Sequence, residues 1–113
     1  MKTVESLSYI NDAGLRKYTV EVFDDETRES LIINLPEGKY DKATIVNALI
    51  RSKYTQDAVE AIINNHFINI AEWIDKKFAG STESFSDPDY DELQAWRADS
   101  KRLADEIIEF INN

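Results

Sequence analysis

The residues with most chemical potential in this chain are carboxylates. Asp87, Asp89 and Asp91 stand at alternate positions, the spacing that opens an EF-hand calcium loop. That loop also needs a glycine at its sixth position and a bidentate glutamate at its twelfth, where this chain has Glu92 and Ala98. Because the three acids flank Pro88, the simpler reading is the first turn of a helix, where negative charge complements the helix dipole. His66 is the only histidine, with no cysteine and no HExxH spacing beside it. Neither a transition-metal site nor a histidine-based dyad is indicated, and a helix end or a partly buried position is its expected place. The serines fall outside GxSxG, and Gly14, Gly38 and Gly80 are too scattered for a phosphate-binding loop. Paired carboxylates do acid-base work only in a pocket that separates their pKa values, and no sequence feature marks one. The expectation is a non-enzymatic protein with no cofactor and no metal.

Composition narrows the class further. At 113 residues and 42% hydrophobic content, one domain with one modest core is expected. The absence of cysteine excludes a disulfide framework and fits a reducing compartment. Met1 to Glu5 leads into an alternating stretch instead of an apolar signal core, and no run approaches membrane-spanning length. Neither export by a signal peptide nor membrane insertion is expected. Thirteen basic against twenty-two acidic side chains give a net charge of −9, which repels phosphate backbones and disfavours direct nucleic-acid binding. Nine of those acids, against three bases, fall in residues 81–113.

These residues are positioned by strands first and helices after. Thr3 to Ile10, Leu15 to Asp24 and Ser30 to Leu35 alternate polar and apolar residues and read as three strands. Asn11-Asp12-Ala13-Gly14 and Asp24-Asp25-Glu26-Thr27 supply the turns, and Pro36-Glu37-Gly38 ends the third strand. Tyr18, Val20 and Val22 share one face, as do Leu31, Ile33 and Leu35. Asp41 caps a helix with Ile45, Val46, Leu49 and Ile50 on its apolar side, reaching about Lys53. Thr55 caps a second, carrying Val59, Ile62, Ile63 and Phe67 and ending near Asn64 to His66. A shorter stripe of Ile70, Trp73, Ile74 and Phe78 follows, with Gly80 at the place of a left-handed carboxy-terminal cap. Trp73 is expected in the core.

After a flexible polar stretch, Asp87-Pro88 reads as cap and first residue of a last helix. Leu93, Trp96, Ser100, Leu103, Ile107 and Phe110 recur along it at steps of three and four. The fold class is therefore α+β: an N-terminal three-stranded antiparallel meander followed by three to four helices, the last long and amphipathic. The expected organisation is a compact α+β domain over 1–80, a polar linker over 81–87, and a C-terminal helix over 88–113, packed on the domain or on a partner. In the partner version Leu93, Trp96, Leu103, Ile107 and Phe110 form the interface.

Two segments, Tyr40-Asp41-Lys42 through Arg51-Ser52-Lys53-Tyr54-Thr55-Gln56-Asp57 and Asp91-Glu92-Leu93-Gln94-Ala95-Trp96-Arg97, resemble small virion-associated or accessory proteins of tailed bacteriophages that infect Bacteroidetes. The resemblance implies a capsid-associated, head-fibre or assembly component, in the virion or the host cytoplasm, acting by contact with other virion proteins or with itself. It carries over no catalytic motif. The alternative is an acidic inhibitor of a basic, nucleic-acid-binding protein, with Asp87, Asp89, Asp91, Glu92 and Asp99 in place of phosphates.

Overall fold

In the computed structural model, which describes residues 1–12, 15–35 and 40–112, three strands precede three helices. They are β1 (Lys2–Asp12), β2 (Leu15–Asp24), β3 (Glu29–Asn34), α1 (Lys42–Lys53), α2 (Gln56–Phe78) and α3 (Pro88–Asn112). The strands form one antiparallel sheet in the order β1-β2-β3, so the α+β meander is as expected. The turn residues Ala13 and Gly14, and the strand-ending Pro36-Glu37-Gly38, lie outside the described residues.

A strict two-residue period fails in β1, because Val4 and Leu7 would then face opposite sides. The register shifts between Val4 and Ser6, leaving Glu5 as a bulge residue, and both apolar side chains pack on the core. Between β2 and β3 the Asp24 carboxylate accepts from the Glu26 N–H at 3.0 Å, and Arg28 closes the turn in the left-handed region at φ 59°.

The helix starts follow their caps. Asp41 accepts from Thr44 N–H at 3.0 Å and Thr55 Oγ1 from Ala58 N–H at 3.1 Å. Asp87 caps α3 through Tyr90 N–H at 3.3 Å, with Pro88 as its first residue. One boundary differs from expectation: α2 is a single helix of 23 residues, where the residue pattern predicts two shorter ones. Asn64, Asn65 and His66 are only modest helix formers, but no glycine or proline interrupts the segment and the apolar period continues through it. The helix stops at Gly80 (φ 95°), where Ser81 N–H bonds Lys76 O at 2.9 Å and Gly80 N–H bonds Lys77 O at 3.0 Å. That pair of bonds satisfies carbonyls that a helix end otherwise leaves open.

One layer of helices, α1 and α3, closes the apolar face of the sheet. The core joins Tyr18, Val20, Val22, Ile33 and Leu35 from the sheet side to Ile45 and Leu49 of α1 and Trp96, Leu103, Ala104 and Ile107 of α3. Residues 88–112 therefore complete the core, and the 1–80 portion is not closed without them. α3 also guards the edge of the sheet: Arg102 Nη2 donates to Lys2 O at 2.7 Å, and Glu106 accepts from Val4 N–H at 3.2 Å. Those bonds occupy outward-facing groups of an edge strand that would otherwise template pairing with another chain. Lys2 Nζ adds contacts to Asp99 at 3.3 Å and Asp24 at 3.6 Å. α2 lies outside this layer and packs mainly on α3, which helps to give the molecule extents of 63 × 27 × 19 Å.

Two substitutions in α3 test this packing. Ser100 is fully buried and its hydroxyl has no hydrogen-bond partner among the described residues. Ser100→Ala is expected to be neutral or to stabilise by up to about 1 kcal/mol, since an unpaired buried hydroxyl is itself costly. Leu103→Ala, three residues away in the same stripe, is expected to cost about 2–5 kcal/mol. Urea unfolding of the two variants checks the contrast. Truncation after Ser86 is expected to abolish the cooperative transition altogether.

Candidate protein-protein interface

The stripe expected to meet a partner faces inward. Leu93, Trp96, Leu103 and Ile107 are each no more than 2% exposed, so the interface assignment for these four is corrected: they line the chain's own core. The physical reason is that steps of three and four suit any apolar counterpart, and for Trp96, Leu103 and Ile107 the chain's own sheet and α1 supply it, while Leu93 is buried outside that cluster. Trp96 also donates its indole N–H to Leu49 O at 3.0 Å inside the core, which fixes α3 against the end of α1. Of the five, only Phe110 stays outside, at 49% exposure near the end of α3.

Exposed apolar side chains remain on the sheet at Tyr9, Ile10 and Ile32, and the longest run of them lies on α2. Val59 near its start is buried, and Ile62 and Ile63 are half-buried. Farther along, Phe67, Ile74 and Phe78 stand 65%, 41% and 89% exposed, with half-buried Ile70 among them. Steps of three, four and seven put these side chains on one helical face, whereas Ile68, also exposed, points elsewhere. The sequence did hold a signal for this face. Three amphipathic helices are more apolar surface than one face of a three-stranded sheet can cover.

A second face of α2 is occupied by the 81–87 segment. Expected as a flexible linker, it runs back along the helix as a strap. Trp73 Nε1 donates to Glu83 O at 3.0 Å, and Phe85 packs its ring against both Trp73 and His66, with centroids 5.7 and 5.6 Å away. Trp73 is thus half-buried beneath the strap and not in the core as expected. His66 sits in mid-helix: its ring stacks on Tyr90 at 3.5 Å, and Nδ1 lies 2.8 Å from Asp87 Oδ2, which also accepts from Asn69 at 3.3 Å. The strap leaves the Phe67, Ile74 and Phe78 face open.

Several of the acidic residues around the start of α3 are paired within the chain. Asp87 is buried and holds His66, Asn69 and the start of α3, while Asp89 and Asp91 are exposed in the first turn. Their carboxylates therefore do not converge on a common centre, and no group of His, Asp and Glu able to hold a metal occurs among the described residues. Asp99 pairs with Lys2 and Arg102, and Glu92 with Lys53 at 3.6 Å. A recess of about 180 Å³ beside Trp96 is lined in part by Lys2, Asp24 and Lys53. Its lysines face those same carboxylates, so its charge is neutralised locally.

The strap has a pH signature. The hydrogen bond from His66, aided by Asn69 and the Tyr90 N–H, holds the Asp87 carboxyl below the ordinary carboxylate range despite its burial. A lowered native pKa contributes stability that is present above the ordinary value and lost as pH falls through the native one. Acidification below about pH 4 is therefore expected to shift the ring protons of His66 and Tyr90 together, as read by NMR. In Asp87→Asn, which keeps a good helix cap, that joint acid step is expected to disappear. Ring shifts that stay constant through the window in the unsubstituted chain would contradict this account.

No protein-family model, no curated protein and no solved structure matches this chain at a significant level.

Proposed function

We propose that this chain is a non-enzymatic structural or accessory component of a phage-type assembly, joined to its neighbours through the outer face of distal α2. The observation that carries this reading is the exposure of Phe67, Ile74 and Phe78 on one face of a helix outside the core layer. Isolated exposed apolar residues need no explanation, but a contiguous set holding two phenylalanines is characteristic of contact surfaces. The resemblance of residues 40–57 and 91–97 to virion-associated proteins gives the assembly its kind. The inhibitor alternative draws less support, because Asp87, Asp99 and Glu92 are already engaged inside the chain.

A paired substitution tests the proposal. Phe67→Ser with Phe78→Ser removes two exposed rings and no core contact, so circular dichroism and Tm are expected to stay close to those of the parent chain. Co-sedimentation with assembled particles is expected to fall by roughly tenfold or more, as for truncation of central apolar anchors. Undiminished incorporation of the double variant would overturn the assignment of this face.

A further inference from the structure

Along α2, Glu60, Ile63, Phe67, Ile70, Ile74 and Lys77 recur at steps of three and four without a break. Four apolar positions are thus bracketed by an acid at the amino-terminal end and a base at the carboxy-terminal end. Glu60, Phe67, Ile74 and Lys77 are exposed and Ile63 and Ile70 half-buried, so the seam is open along its length. Neither Glu60 nor Lys77 forms a salt bridge among the described residues; Glu60 accepts from Gln56, and the Lys77 ammonium lies 5.4 Å from the Trp73 ring.

We infer that this seam pairs antiparallel with the same seam of a second copy, about a twofold axis between Ile68 and Asn69. The inference rests on the reading of distal α2 as a contact face. In that register Phe67 of each copy meets Ile70 of the other and Ile63 meets Ile74. Glu60 meets Lys77 at both ends, so every layer is apolar on apolar or acid on base. A parallel arrangement would set Glu60 against Glu60 and Lys77 against Lys77, which is repulsive at both ends. Antiparallel pairing also sends the two sheet-bearing bodies to opposite ends, which suits chains that each carry a charge of −9. A twofold contact is self-complementary by construction, as this seam is. Phe67, 65% exposed, is the one aromatic side chain of the seam in each copy, so closure removes at most on the order of 1,000 Å² over both copies, at the lower end of specific interfaces. The dimer is therefore weak and concentration-dependent.

Light scattering of the full-length chain, from about 1 µM to several hundred µM, reads this directly. The mass is expected to rise from 13.0 kDa toward twice that value. Glu60→Lys or Lys77→Glu alone is expected to weaken association roughly tenfold, and the two together to restore it, because the exchange preserves each cross-pair. The chain has no cysteine, so Ile63→Cys and Ile74→Cys chains provide a second reading. Mixed, they are expected to form a disulfide with each other and not each with itself. A chain that stays monomeric at every concentration overturns the self-pairing, and like-with-like crosslinks or a double charge variant no better than the singles overturn the register. If such a monomer still enters particles in a Phe67-dependent way, the contact face stands and only its occupant changes.

Discussion

The indole of Trp96 lies where α3, the end of α1 and the sheet meet, and the remaining architecture follows from its burial. Its ring fills the core while its N–H bonds Leu49 O, so apolar contact and hydrogen bonding fix the same placement. Lys2 and Lys53 approach the ring at 5.8 and 5.4 Å, one from the start of β1 and the other from the end of α1. With that contact made, Leu103, Ala104 and Ile107 run along the core, and Arg102 and Glu106 are carried to the edge of β1. One helix thereby closes the core and shields the edge strand.

Placing α3 over the sheet has a consequence for α2. A three-stranded sheet presents one apolar face of limited width, and α1 and α3 fill it. α2 is held near its start by Val59 and α3, and along one side by the 81–87 strap through His66, Trp73 and Phe85. These contacts orient the helix yet leave Phe67, Ile74 and Phe78 in water. Covering those side chains is favourable at roughly 25 cal/mol for each Å² removed, a driving force that the isolated chain does not use.

At least four of the 22 acidic side chains have a clear structural role. Asp24, Asp87, Asp99 and Glu106 hold backbone groups, a lysine, an arginine or the histidine at junctions between elements. Their carboxylates fasten the amino-terminal strand to α3 and the strap to α2. Net charge by itself separates none of these from Asp89 and Asp91, which remain in solvent.

Local chemistry was legible from the residues alone. The caps Asp41, Thr55 and Asp87, the left-handed stop at Gly80, the meander and the inward face of Tyr18, Val20 and Val22 each depend on neighbours a few positions away. The bulge at Glu5 was not legible, because it is settled by Val4 and Leu7 both packing on the core, and the continuity of α2 was obscured by the modest helix propensity of Asn64, Asn65 and His66, which the unbroken apolar period outweighs. The largest difference concerns which stripe meets the sheet. α2 and α3 both carry apolar residues at helical spacing, and periodicity defines a face without naming its neighbour. Sequence by itself determined that this chain would build one sheet and several amphipathic helices with more apolar surface than the sheet could cover. Only the tertiary structure decided that α3 is buried and α2 is left open, because the two compete for one face and the outcome depends on the fit of whole side chains around Trp96.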